Sequence, residues 1–265
     1  MDKNLSPKFT DYSLTTLSSA FKDINVIPFN KVFLENLNLT EITGEAGSGK
    51  SQMCYHIIIQ AIKPKTLGGL GRNCLYITTV QTLSDTRFRQ FFNYECKDLS
   101  EKEKKNTLSK FHYLHMNPSE FEKFFSIDVD NFIIANKIKF LIIDSITGIA
   151  DTQFINEQNE INFKERSRFI KQYIKIFKNL ILKYNLFFFV TNNVSANFSG
   201  TGNDEQKPCL GRIWENGLNT RLFLTKDTDI SGNCIRYIKV LFSNYLFMKE
   251  TRFEFNQNGI TFFNN

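Results

Sequence analysis

Eight consecutive residues, Gly44-Glu45-Ala46-Gly47-Ser48-Gly49-Lys50-Ser51, constrain this chain more than any other stretch. They fit the pattern G-x-x-x-x-G-K-[ST]. Glycines let the backbone curl so tightly that its N–H groups turn inward, which a Cβ would obstruct. A helix starting at the end of the curl adds its positive N-terminal end to the same hollow. The product is a cradle for phosphate. Lys50 can reach the β- and γ-phosphates of a nucleoside triphosphate, and the Ser51 hydroxyl can take a position on Mg²⁺. The flanks suit the motif: Thr40 to Thr43 reads as a short buried strand and Gln52 to Ile62 as an apolar-faced helix. The competing reading is a glycine-rich turn between strand and helix that holds no ligand.

A second stretch supports the first. Lys139-Phe140-Leu141-Ile142-Ile143-Asp144-Ser145 is an apolar strand ending in an acid. Such strands are common, but beside a phosphate loop the carboxylate can hold the hydration shell of Mg²⁺. The two stretches together predict ATP and Mg²⁺ as ligands, with Ser51 on the metal and Asp144 reaching it through water.

The remaining segments alternate. Cys74 to Thr79, Phe111 to His115 and Leu186 to Thr191 read as core strands. Ser84 to Tyr94 (with Ser84 as N-cap), Pro118 to Asn136 and Phe163 to Tyr184 read as helices. In the last of these, Phe169, Ile170, Tyr173, Ile174, Phe177, Leu180 and Ile181 share one face, while Lys164, Arg166, Arg168, Lys171, Lys175 and Lys178 make the other basic. Lys97 to Lys105 reads as a solvated charge run. Gly148 to Asn162 and Val194 to Pro208 read as polar loops, the second of them mobile. From Arg221 to Phe263 short strands follow one another, with a turn at Asp227 to Asn233. The predicted class is α/β: a phosphate-loop core with a mostly parallel sheet, helices on both faces and an antiparallel C-terminal extension. Residues 1–16 are polar and expected to be loose, and 17–265 are expected to form the core.

Composition narrows the function classes. The 265 residues carry a net charge of +6, which permits nucleic-acid binding without requiring it. The five cysteines are scattered with no C-x-x-C pair, which points to a reduced intracellular protein without a disulfide frame or zinc site. Cys54 and Cys74 are expected to be buried. His112 and His115, three apart in a strand, face opposite sides and read as structural. The N-terminus shows no secretory signal, and the apolar run Leu186 to Val190 is too short to span a bilayer.

With these parts placed, the sequence resembles the eukaryotic RecA-family strand-exchange proteins, and among them the Rad-type recombination and repair paralogues. The likeness is nearest to the third X-ray-repair cross-complementing paralogue. It is carried by Thr40 to Gln52, Gly68-Gly69-Leu70-Gly71, Leu141 to Ser145, Val190 to Val194, Pro208-Cys209-Leu210-Gly211 through Trp214, Asn216 to Leu222, and Phe253 to Gly259. The resemblance implies ATP held between subunits, another RecA-family paralogue as partner, single-stranded or branched DNA as substrate, and a place in the nucleus. It implies that DNA runs along two loops, here Gly148 to Asn162 and Val194 to Lys207. It implies that Arg87 packs on the adenine. Arg166 and Arg168, on the basic helix face just after the first loop, and Lys207 are the phosphate contacts expected from the residues themselves, the competing reading being a solvated helix face. Two positions depart from the family pattern. The strand after the phosphate-loop helix should end in a glutamate that activates water, and Val80 stands there. The Asn-Gln pair that senses the γ-phosphate reads Asn192-Asn193, one methylene shorter. Valine can neither take a proton nor orient water, so nucleotide binding is expected with slow or lost hydrolysis.

The function expected from these features is an ATP-binding recombination mediator in homologous recombination and double-strand break repair. Alternatives are an active DNA-dependent ATPase using another carboxylate such as Asp85, a hexameric-helicase-like or clock-protein-like ATPase, and a nucleotide-gated interaction scaffold.

Overall fold

A computed structural model describes residues 39–152, 162–196, 206–228, 232, 234–244, 246, 250–257 and 259–263. The boundary expected at residue 16 lies outside these residues.

The chain enters on β1 (Leu39–Gly44), buried along its whole length, and passes through the phosphate loop into helix α1 (Lys50–Ile62). Next come β2 (Asn73–Thr78), α2 (Asp85–Glu95), α3 (Glu101–Leu108) and β3 (Phe111–His115). Asn117 caps α4 (Pro118–Lys123) with a reciprocal pair of hydrogen bonds to Glu120, and Pro118 occupies the first turn, where its missing N–H costs nothing. A π turn over Phe124–Asp128 joins α4 to α5 (Val129–Ala135), so the helix expected over Pro118 to Asn136 is one helical run with a bulge. Then follow β4 (Ile138–Asp144), α6 (Ile146–Thr152), α7 (Phe163–Tyr184), β5 (Phe187–Ala196), β6 (Gln206–Pro208) and α8 (Gly211–Glu215). The chain closes on β7 (Thr220–Thr228), β8 (Cys234–Ser243), β9 (Glu250–Asn256) and β10 (Gly259–Phe262).

The sheet runs β10-β9-β8-β7-β1-β5-β4-β2-β3, with β6 hydrogen-bonded to the far end of β5. The six strands from β7 to β3 are parallel, and β8, β9 and β10 continue the sheet antiparallel. This is the expected α/β architecture. Both faces are covered, and alternate side chains divide between two cores. In β4, Phe140 and Ile142 pack with α1 and α2, whereas Leu141 and Ile143 pack with α4, α5 and α7. Cys54 and Cys74 are buried in the first core. Helix α7 buries Phe169, Ile170, Tyr173, Phe177, Leu180 and Ile181, the face read from its spacing. No helix among the described residues is long and apolar enough to cross a membrane.

Three segments carry structure that their sequences did not reveal, the first of them as solvated as expected. The charge run includes α3, opened by a capping box between Ser100 and Glu103; its single buried residue, Thr107, leaves no apolar stripe to betray a helix. The first loop begins as helix α6, which puts Ile149 and Ala150 into the second core. The second loop is rooted in a hairpin, because Val194 to Ala196 pair with Gln206 to Pro208. The central parts of both loops, residues 153–161 and 197–205, lie outside the described residues.

Candidate functional site

The loop between β1 and α1 lies at the C-terminal ends of the parallel strands, where open α/β sheets take ligands. Two of its glycines are sterically required. A Cβ on Gly44 would lie 2.3 Å from the Leu224 carbonyl oxygen, and one on Gly49, at φ +106°, would lie 2.1 Å from the Phe255 ring. Lys50 folds back over the loop and donates to the carbonyls of Gly44 (2.8 Å) and Glu45 (3.0 Å). Burial pushes its pKa down, and the nearby Asp144 carboxylate opposes that shift. The Ser48 hydroxyl is buried and has no hydrogen-bond partner among the described residues. From outside the loop, Lys226 donates to the Ala46 carbonyl at 3.1 Å.

Beside the loop is a cavity of about 450 Å³, walled by Ala46, Gly47, Gly49, Lys50 and Ser51 from the loop and by Asp144, Ser145, Asn193, Val80 and Gln81 opposite. Its size is within the range of small-molecule sites. Asp144 is held rigidly: Tyr76 donates its phenol to Oδ2 at 2.7 Å, and Thr191 donates its hydroxyl to Oδ1 at 2.5 Å. Burial, reinforced by the Asp144 charge, pushes the Tyr76 phenol well above its ordinary pKa, so it remains a donor. Ser51 and Asp144 therefore face one cavity with Lys50. A backbone cradle with no room for a Cβ at Gly44 or Gly49 and an ammonium folded onto it fit a nucleotide phosphate chain. A hydroxyl and a carboxylate suit Mg²⁺, which keeps waters and takes its other ligands from phosphate. Among the described residues no group of three His, Cys, Asp or Glu side chains is placed to hold a metal by protein ligands alone.

The two departures from the family pattern are both at this cavity. Val80 is 63% exposed on its wall, its methyl so close to Gly148 that a Cβ there would come within 2.3 Å. Asn193 also lines the cavity, but Asn192 points away from it. The Asn192 amide donates to Glu41 at 2.7 Å and accepts from Thr147 at 2.9 Å, and the same Thr147 hydroxyl accepts the Asn193 backbone N–H at 3.1 Å. Glu41, fully buried, also accepts from Trp214 Nε1 at 2.7 Å and from Arg221 Nε. Burial raises the Glu41 pKa, against the lowering effect of the Arg221 charge and of hydrogen bonds from Asn192, Arg221 and Trp214. This network gives Trp214 its role: it ties the short helix α8 to the strand that delivers the phosphate loop. Sequence reading singled out Trp214 but missed Glu41, because nothing in a strand sequence reveals which acid faces an arginine far along the chain.

The other proposed contacts are placed differently. Arg87 is outside the cavity wall, bonded to Gln52 (2.9 Å), Gln90 (3.0 Å) and the Asn256 carbonyl (2.9 Å) and stacked on Phe91. It braces α2 against α1 and the end of β9. Asp85 forms an exposed pair with Arg89 at 2.7 Å and does not line the cavity. Arg166 directs Nη2 to the Cys209 carbonyl at 2.8 Å, so part of its donor capacity is spent on the turn after β6. Arg168 and Lys207 are exposed, on α7 and β6 respectively.

The chain is similar to known proteins over most of its length. The family model described as Rad51 matches residues 14–262. DNA repair protein RAD51 homolog 2 of Homo sapiens is 29% identical over 218 residues, covering 71% of this chain and 54% of that protein. Its counterpart in Mus musculus is 27% identical over 252 residues, covering 83% of this chain and 67% of that protein. DNA repair and recombination protein RadA of Methanocorpusculum labreanum is 29% identical over 203 residues, covering 73% of this chain and 61% of that protein. The chain thus spans between about half and two thirds of these relatives' length. None of these three carries the name of the third X-ray-repair cross-complementing paralogue, to which the motifs were likened above.

Proposed function

The chain belongs to the Rad51 family, and from that membership and the geometry of its cavity we propose that it is an ATP-binding recombination mediator. It acts on single-stranded or branched DNA in homologous recombination and double-strand break repair, in the nucleus, together with another paralogue of the family. The observation that carries the reading is the convergence of the Gly44–Ser51 loop, Lys50 and Asp144 on one cavity. The proposal is for the paralogue class, not for one named member.

In this reading the loop N–H groups and Lys50 bind the triphosphate. Ser51 and Asp144 hold Mg²⁺, the latter through water; the ion, when bound, neutralises phosphate charge. Tyr76 and Thr191 orient Asp144, and Asn193 faces the phosphate end of the cavity. The cavity wall offers a valine where water activation needs a polar group. Binding and turnover therefore separate, and ATP works mainly as a bound ligand. The carboxylate route through Asp85 loses its support, since that side chain is paired on the helix surface.

The test is calorimetry of Mg·ATP binding. Lys50→Ala should weaken affinity at least about tenfold, the expected loss for a charge-assisted phosphate contact. Equal affinity in wild type and variant, or no binding by either, would remove the nucleotide from the proposal.

A further inference from the structure

We propose that Gln81 positions the attacking water in this chain, so that ATP is cleaved slowly by an amide-aligned route instead of a carboxylate-assisted one. The inference rests on the nucleotide reading above. Among the residues lining the cavity the only carboxylate is Asp144, and both of its oxygens already accept hydrogen bonds. Val80 has no polar atom. Gln81 follows it directly, is exposed, and lines the same cavity. Its side chain makes no hydrogen bond to the described residues.

The backbone around it is pinned while the amide is not. On one side Thr79 donates its N–H to the Asp144 carbonyl (3.1 Å) and its hydroxyl to the Ser145 carbonyl (2.6 Å). On the other, Leu83 N–H bonds the Tyr113 phenol and Ser84 N–H bonds the Tyr55 phenol, both at 3.1 Å. Val80 is wedged against Gly148. A fixed backbone therefore presents the unbonded Gln81 amide to the cavity beside Val80.

An amide suits the task. Its carbonyl can accept from a water, and its NH₂ can donate to a phosphoryl oxygen. A glutamine orients the attacking water in Ras-type and Gα phosphoryl transfer. The water oxygen bonds to the γ-phosphorus while the bond from that phosphorus to the β–γ bridging oxygen breaks, and the electron pair leaves with ADP. Because an amide cannot take a proton, the water's proton passes to an oxygen of the phosphoryl group itself, and the products are ADP and inorganic phosphate. Cleavage should then show no dependence on a protein carboxylate titrating near pH 4–5.

The experiment compares wild type, Gln81→Ala, Gln81→Asn and Lys50→Ala. Single-turnover ATP cleavage is read alongside equilibrium affinities for ATP and for ADP–aluminium fluoride, a mimic of the transferring phosphoryl. An interaction made only in the transition state lowers cleavage without changing substrate affinity. Gln81→Ala should therefore keep ATP affinity within about twofold while losing about tenfold or more in both cleavage and fluoride-complex affinity. Gln81→Asn, with its shorter reach, should fall between. Wild-type values in Gln81→Ala would overturn the proposal. So would a wild type that cleaves no faster than Lys50→Ala, and the ATP affinity measured beside it shows whether the nucleotide reading itself survives.

Discussion

Glu41 of β1 and Arg221 of β7 stand directly opposite in register and meet as a fully enclosed ion pair. The pair is joined by Trp214 and by Asn192, so one carboxylate ties β1 to β7, β5 and α8 immediately behind the phosphate loop. A buried pair contributes little beyond an apolar replacement, but breaking one partner leaves an uncompensated charge.

Arg221→Met should therefore destabilise the protein by about 3–5 kcal/mol, as is usual when a buried pair loses one member. Trp214→Phe, which removes one donor and keeps the ring, should cost about 1–3 kcal/mol. The sign with pH is defined. Burial raises the Glu41 pKa, and without Arg221 it rises further. A carboxyl whose folded pKa is above its unfolded value binds a proton in the folded state first, so stability is lost as pH rises through that window. The Arg221→Met defect should be largest at neutral pH and shrink toward pH 5. Chemical denaturation across pH would show this; a defect that grows on acidification would contradict it.

His56 gives the opposite sign. It is buried on α1 against the Phe262 ring, and burial lowers its pKa from the ordinary 6.5 to about 4, with Glu95 opposing and Lys63 adding to the shift. Between those values the unfolded chain takes a proton that the folded chain refuses, so stability falls as pH drops. From pH 7.5 to 5 the contribution is roughly 2 kcal/mol. His56→Leu should remove that part of the slope in denaturant midpoints, whatever its effect on absolute stability. Parallel pH profiles for variant and wild type would show that His56 does not titrate in this way.

How much of this was legible in the sequence depends on the range of the interaction. The phosphate loop, the acid ending β4 and the apolar face of α7 are local patterns, and they placed the cavity and the sheet. Helix α3 was missed because it buries a single residue, although Ser100 and Glu103 signalled its start. The hairpin rooting the second loop was missed because Val194 to Ala196 and Gln206 to Pro208 meet only across ten or so intervening residues. Asn192 and Asn193 looked like one sensor pair, yet adjacent strand residues point to opposite sides, so only Asn193 reaches the cavity.

Val80→Glu tests the departure at the cavity wall. Phosphoryl transfer to water needs the phosphate held and a water aimed at it. Lys50 and the loop supply the first. A carboxylate grown from position 80, packed against Gly148, would enter the same cavity. Single-turnover cleavage should rise by about 10²-fold, the lower end of what a general base contributes, while ATP affinity changes little. The variant should also acquire a decline of rate on acidification toward the carboxylate range, absent from wild type. No gain in cleavage despite intact ATP binding would mean that Val80 is not what limits turnover.

DNA binding should distinguish three residues that the sequence grouped together. Arg168 and Lys207 are exposed, whereas Arg166 is half-buried and bonded to the Cys209 carbonyl. Cys209 in turn donates its N–H to the Asn193 carbonyl at 2.9 Å, so Arg166 sits one step from the cavity wall. A phosphate contact on a single strand contributes about 0.7 to the slope of log affinity against log salt. Arg168→Ala with Lys207→Ala should weaken binding of a single-stranded oligonucleotide and flatten that slope by about 1.4, two contacts' worth. Arg166→Ala should act mainly through the turn it anchors: affinity falls, the slope changes less, and the effect depends on whether ATP is present. Fluorescence anisotropy over a salt series, with and without a non-hydrolysable ATP analogue, separates these outcomes. A slope unchanged in the double variant would place the DNA on another surface, and a slope that falls as far in Arg166→Ala would show that its guanidinium reaches phosphate despite the Cys209 bond.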